Sequence, residues 1–366
     1  METLTYCRKC VLHSSHPGIA LDENGECDIC RGENRNHWIE NYEEIASNYE
    51  KFQSYKPANG DYESVLMLSG GKDSIYMLWK LIHEEQRKIL VYTYNHPFES
   101  DNAIQNVQKV LDKMDVQHLY FTAHAKYKAL MRSVFAKENR SHQYQSEMTP
   151  CKVCSSYMTL TGCLMALRMN IPFVLYCADP IQIIVSESFS SIKRLIKLLM
   201  EYVDIDMLNY VFDCEIASLL EKQDEELPTV VFPYISIIND YDKDKIVSVI
   251  KAKGLYDSSS IQTSCSLYPL LEYYAYKNFR CSTASVEIAA AVRQGYLPRE
   301  AALNNLKEYK KIFYDMLSKP DLSEEDKLYI RDFAERQIPE SKEDADYVYE
   351  KIIAIKETAR KIGVEL

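Results

Sequence analysis

At 366 residues the chain is long enough for two or three packed domains, and 46% apolar with 27% charged residues excludes long disorder or a low-complexity protein. Asp and Glu outnumber Lys and Arg, 54 to 43, and the resulting net charge of −11 has the wrong sign for binding nucleic acid by counterion release. A small or nucleotide-linked substrate is therefore expected. No apolar run is long enough to span a bilayer, and the opening METLTYCRKC lacks the apolar stretch of a signal peptide, so the expectation is a cytoplasmic protein without membrane contact.

Six of the eleven cysteines form three C-x2-C pairs, Cys7/Cys10, Cys27/Cys30 and Cys151/Cys154. In a reducing compartment such clustering points to metal or reactive sulfur and not to disulfides. Within residues 1–35 the first two pairs enclose a turn at Asn24-Gly25. Each pair offers two thiolates from one tight turn, and together they complete the four-sulfur tetrahedron that zinc favours. Cys7, Cys10, Cys27 and Cys30 are thus expected to bind zinc as a staple for a segment too small for its own core. His13 and His16 are expected at the surface, outside the ligand set.

Residues 36–60 read as a helical connector. From 61 to 240 the pattern alternates. Val65 to Leu68 is a short apolar run, two glycines follow, and Ile75, Met77, Leu78, Leu81 and Ile82 recur at helical spacing. Further apolar runs at Ile89–Tyr92, His118–Phe121 and Phe173–Tyr176 are separated by helical segments. This alternation predicts an α/β domain with a parallel sheet. Residues 183–230 read as a helical insertion or lid, and 241–366 as a helical C-terminal domain, with capping-box-like starts at Ser323-x-x-Asp326 and Ser341-x-x-Asp344.

Between the first strand and its helix stands Ser69-Gly70-Gly71-Lys72-Asp73-Ser74. Two glycines let the backbone approach an anion, and the N–H groups at the head of the helix stabilise it. The spacing is not that of a Walker A loop, which needs G-x4-G-K-[ST]. S-G-G-x-D-S on a strand, loop and helix resembles the signature of the PP-loop, or N-type, ATP pyrophosphatases. The resemblance implies cleavage of ATP to AMP and pyrophosphate. Ser69, Gly70, Gly71, Asp73 and Ser74 would then bind the pyrophosphate, with Asp73 near magnesium. Lys72, at the variable position, would neutralise charge developing on the phosphates. Ligands in such folds sit beyond the carboxyl ends of the strands, so adenosine is expected near Tyr94, Asn95 or His96, and Asp179 is expected to be a turn residue that could also bind substrate.

Adenylation of an amide oxygen opens its carbon to a nucleophile. The cysteine pairs ending at Cys30, the SGGKDS loop and the segment AAAVRQGYLPREAAL at Ala289–Leu303 resemble the N-acetyl sugar amidotransferases of bacterial surface-polysaccharide synthesis. That family implies ammonia as nucleophile, supplied by a separate glutaminase. The alternative is sulfur. PP-loop thiolases also combine an N-terminal zinc unit with a midchain C-x2-C, and Cys151, Cys154 and Cys265, or Cys281 as third ligand, would hold a [4Fe–4S] cluster with one open position, or carry persulfide from a sulfur donor. Cys163, Cys177 and Cys214 read as structural. A non-catalytic binding module is a third reading, which the intact SGGKDS argues against. Oligomeric state is left open.

Overall fold

The computed structural model describes residues 5–16, 18–32, 41–57, 61–140, 149–180, 182–183, 187–238, 240–257, 265, 282, 284–293, 295 and 297–314. The chain divides into two compact units, one of residues 1–38, 138–151 and 266–366, the other of 39–137 and 152–265.

In the first unit the cysteine-bearing segment ends in a one-turn helix, α1 (Asp28–Arg31), which Gly32 terminates at φ +78°. The second unit begins with α2 (Tyr42–Ser54), whose Ile45, Asn48 and Phe52 are buried. The sheet follows as β1 (Ser64–Met67), α3 (Lys72–His83), β2 (Ile89–Tyr94), α4 (Asp101–Lys113), β3 (His118–Phe121), α5 (His124–Arg140), α6 (Thr149–Arg168) and β4 (Phe173–Leu175). It continues through α7 (Ile192–Tyr202), α8 (Ile205–Phe212), α9 (Ile216–Glu221), β5 (Thr229–Val231) and α10 (Lys243–Ala252). The first unit resumes with α11 (Ser285–Arg293) and α12 (Arg299–Tyr314).

All strand pairs are parallel, in the order β3-β2-β1-β4-β5. Parallel strands are covered on both faces, which is why β1, β2 and β4 read as continuous apolar runs and are almost wholly buried. From β1 the chain moves outward through β2 to β3, then returns to the other side of β1 with β4. The strand order therefore reverses between β1 and β4, and the crevice above that switch point is where such sheets bind ligands.

Two expectations change. The helices expected at 183–230 lie between β4 and β5. They form the crossover that two neighbouring parallel strands, β4 and β5, require, and α7, α8 and α9 pack on one another. Likewise α2 is no mere connector: it packs against β5, and the Arg87 guanidinium, against the Phe52 ring, donates to the carbonyls of Gln53 and Tyr55 while pairing with Glu63 at 2.6 Å. Among the described residues no helix is long and apolar enough to cross a membrane. Ser323, Asp326, Ser341, Asp344 and Cys281 lie outside the described residues.

Candidate active site and metal centre

The SGGKDS loop leaves β1 at the switch point. Gly70 adopts φ +71°, and a Cβ there would stand 2.3 Å from the Ala103 carbonyl oxygen at the head of α4. Only glycine fits this backbone. Asn106 of α4 donates to the Gly70 carbonyl at 3.1 Å. The serines close the loop on itself: the Ser69 amide donates to Ser74 Oγ at 3.2 Å, and Ser74 Oγ donates to the Gly71 carbonyl at 3.1 Å. Gly71 caps α3 without a side-chain hydrogen bond, so the amides of the first turn remain directed at whatever occupies the crevice.

Lys72 and Asp73 open α3 and touch directly, Nζ on Oδ2. Asp179, just beyond β4, brings its Oδ2 to 3.9 Å from the same ammonium. The structure thus draws Asp179 into the loop's charge cluster from the far side of the switch point. Tyr241 donates to Asp73 Oδ1 and Tyr234 to the Asp73 carbonyl, both at 3.0 Å. Burial raises the Asp73 carboxyl above its ordinary value, Lys72 opposes the rise and Asp179 adds to it. Sequence reasoning missed Tyr234 and Tyr241 because they follow β5, a three-residue strand without periodic signal. Cys177 is only partly covered; burial and then the charge of Asp73 push its thiol up.

Beyond β2, Asn95 is tied to the end of β3: its amide donates to the Phe121 carbonyl at 2.8 Å and its side chain to Thr122 Oγ1 at 3.3 Å. Its neighbours do not fit the adenosine role expected of them. Tyr94 and His96 are buried, Tyr94 with its hydroxyl on Ala123 and Tyr157 and His96 stacked on Tyr127. Side chains alternate along the strand, and Tyr94 faces into the core. Burial lowers His96 to about 4.

Tyr127 also meets Cys154, hydroxyl to Sγ at 3.0 Å, and burial raises that thiol to about 11. Cys151 lies one turn earlier on α6. Cys265 forms a backbone bridge to Glu99 in the β2–α4 loop, and Tyr127, which Cys154 meets, stacks on His96 of that loop. Glu99 has a buried carboxylate oxygen without a hydrogen-bond partner, and burial raises it to about 7. Cys163 is fully buried, as expected, and Cys214 is half-buried. A cavity of about 450 Å³ between the β3–α5 turn, α6 and α8 shares no lining residue with the loop.

In the first unit, the sulfurs of Cys7, Cys10, Cys27 and Cys30 all lie within 4.8 Å of one another. Cys7 and Cys30 stand 3.8 Å apart, Cys10 and Cys27 3.7 Å. A tetrahedron with metal–sulfur bonds of about 2.3 Å has edges of about 3.8 Å, so the quartet fits a single four-coordinate ion. Amides of Cys10 and Cys27 point at Cys7 Sγ, that of Leu12 at Cys10 Sγ and that of Cys30 at Cys27 Sγ, a donor set that favours thiolate. Hydrogen bonds from Cys10 foremost, then Cys27 and Cys30, hold the Cys7 thiol well below its ordinary value. Among the described residues this is the one such group. His13 and His16 are buried, contrary to expectation, because the short segment folds over them. Arg299 at the start of α12 donates to the carbonyls of Cys7 and Cys10 at 2.8–3.1 Å. Ala289, Ala302 and Leu306 share one apolar cluster with Cys7, Cys10 and Cys27, so the segment Ala289–Leu303 packs on the cysteine pairs.

No protein-family model matches the chain, and no curated protein does. Among solved structures it is similar to the U34-tRNA thiolase NcsA from Methanococcus maripaludis with its [4Fe-4S] cluster, at 14% identity, covering 81% of this chain and 88% of that one, TM-score 0.34. It is also similar to NMN synthetase from Francisella tularensis, at 12% identity over 61% of this chain and 88% of that one, TM-score 0.31. A third is the glutamine-dependent NAD+ synthetase from Acinetobacter baumannii in complex with ADP, at 14% identity over 89% of this chain and 47% of that one, TM-score 0.33. All three likenesses are slight in identity and in superposition, and the geometry of the loop, not they, carries the reading of the site.

Proposed function

We propose that the chain is an AMP-forming enzyme of the PP-loop ATP pyrophosphatase kind, which adenylates the oxygen of an N-acetyl group on a nucleotide-linked or lipid-linked sugar and lets ammonia displace AMP. The observation that carries this reading is the SGGKDS loop at the switch point of a parallel sheet, with Lys72, Asp73 and Asp179 gathered over it. In this reading the first-turn amides of α3 with Ser69 and Ser74 hold the pyrophosphate, Asn95 meets the adenosine, and Lys72 neutralises the departing phosphates. Asp73 and Asp179 offer the hard carboxylate oxygens that suit magnesium, which when bound would stabilise the leaving pyrophosphate. Zinc at Cys7, Cys10, Cys27 and Cys30 staples the first unit, a reading supported by the 3.7–3.8 Å sulfur spacing, which suits one four-coordinate ion. A separate glutaminase supplies the ammonia.

A second reading, sulfur transfer to the activated carbon, draws support from Cys265, which bridges Glu99 in the β2–α4 loop, and from Cys154, which meets Tyr127, the ring stacked on His96 of that loop. Burial holds the proton on Cys154, and a bound metal or cluster would favour its thiolate. The deciding experiment is metal and acid-labile sulfide analysis with a visible spectrum on protein purified without oxygen, comparing the parent with Cys151→Ala. Zinc alone, unchanged by the substitution, supports the ammonia reading. Iron, sulfide and a broad absorbance lost in the variant would replace it with sulfur transfer.

A further inference from the structure

The carboxylate pair at the switch point is already occupied by the protein itself. Asp73 Oδ2 carries the Lys72 ammonium and Oδ1 the Tyr241 hydroxyl. Asp179 turns Oδ2 toward the same ammonium while Oδ1 accepts the Gln182 amide at 2.9 Å. The three charged side chains are 14–18% exposed, and the ring of Tyr241 lies 5.8 Å from Lys72 Nζ. A divalent cation entering this pair would meet a positive charge in its own place, in a site where little water screens the repulsion.

We propose that Lys72 is an internal cation that keeps the Asp73–Asp179 pair closed to divalent metal until a polyphosphate draws its ammonium away. The inference rests on the reading that the loop binds ATP. Lys72 opens α3 beside the amides that would receive the phosphates, and its flexible four-carbon stem lets the ammonium move from carboxylate to phosphate without moving the helix. Tyr241 holds the Asp73 carboxylate and Tyr234 its main-chain carbonyl, so the carboxylate stays in place when the lysine leaves. They act as positioning residues. Because coupling is reciprocal, a phosphate that removes Lys72 promotes metal binding, and metal in turn promotes phosphate binding. The metal therefore enters with the nucleotide and not ahead of it.

The test measures Mn(II) alone, by electron paramagnetic resonance of the free ion, against the full chain with its cysteine site loaded with zinc. Wild type is expected to bind Mn(II) weakly at this pair, Lys72→Met about tenfold more tightly or better, and Lys72→Met with Asp179→Asn to lose the gain. Lys72→Arg, which keeps the cation, should behave as wild type. Lys72→Gln serves in place of the methionine variant where circular dichroism shows that the latter has not folded. Wild type binding Mn(II) as tightly as Lys72→Met would overturn the inference, as would a gain that survives Asp179→Asn. Equilibrium dialysis of wild type with magnesium and labelled ATP separates the two claims: no ATP binding sinks the reading of the loop itself, whereas ATP binding with unaltered Mn(II) affinities sinks only the role of Lys72.

Discussion

Gly70→Ala, set beside Gly71→Ala, tests whether the loop's conformation is as tightly determined as the structure makes it. At Gly70 the backbone sits at φ +71°, where an L-residue costs about 1–2 kcal/mol. Its Cβ would lie 2.3 Å from the Ala103 carbonyl oxygen and 2.8 Å from the carbonyl carbon. Those are backbone atoms on the first turn of α4 and cannot swing aside as a side-chain tip would, so overpacking adds about 1–3 kcal/mol. The expected loss is about 2–5 kcal/mol. At Gly71 the conformation is extended, φ −82° and ψ 158°, and a Cβ meets only the Ser69 hydroxyl at 3.2 Å. Replacing a glycine cap by alanine there should cost no more than about 1 kcal/mol. Urea unfolding followed by tryptophan fluorescence reads both variants, since Trp79 lies on α3 itself. ATP affinity should fall further in Gly70→Ala, because relieving the clash moves the loop from the head of α3. Equal stability losses for the two, or a Gly70→Ala as stable as the parent, would refute the reasoning.

Four further outcomes are expected. Arg87→Met leaves Glu63 buried without its partner, where the two side chains are 4% and 8% exposed, so urea denaturation should show a loss of about 3–5 kcal/mol, partly restored by adding Glu63→Gln; no loss would mean the pair does not fasten α2. His96, held at about 4 by burial against an ordinary 6.5, takes up its proton more readily unfolded than folded. Stability should therefore rise as pH climbs from about 4 to 6.5, by about 3 kcal/mol from this group, and His96→Gln should flatten that slope in pH-dependent denaturation; an unchanged slope would assign it elsewhere. Cys7→Ser should lose the metal by elemental analysis, and Arg299→Lys, which breaks the fork on the Cys7 and Cys10 carbonyls, should weaken metal retention against a chelator about tenfold without altering ATP binding. A stable Cys7→Ser with its full metal would contradict the four-sulfur site.

Local chemistry made the loop and the cysteine quartet legible. Gly70 and Gly71 after Val65–Leu68, and two C-x2-C turns, each state their geometry within a few residues of chain. The strands β1 to β4 were legible for the same reason, being short apolar runs between turn signals. What escaped the sequence depends on topology. Asp179 reads as a turn residue until β4 is placed beside β1, which carries it across the switch point to Lys72. Tyr234 and Tyr241 follow β5, where Thr229–Val231 is too short to announce a strand. The helices between β4 and β5 read as an insertion because a crossover is defined by the strands at its two ends, one of which was not visible. His13 and His16 looked exposed because nothing in their spacing shows that the segment folds over them. Asn95 kept its place at the end of β2, whereas Tyr94 and His96 turned inward, a distinction the alternation of side chains settles only once the strand's last residue is known.

The most direct test of the central claim is phosphorus NMR of ATP incubated with magnesium, ammonium chloride, a nucleotide-linked N-acetylhexosamine and the zinc-loaded chain, beside Asp73→Asn. The account predicts AMP and pyrophosphate in equal amounts from the parent and neither from the variant. ADP and inorganic phosphate as the products, or an Asp73→Asn chain that still forms AMP, would contradict it.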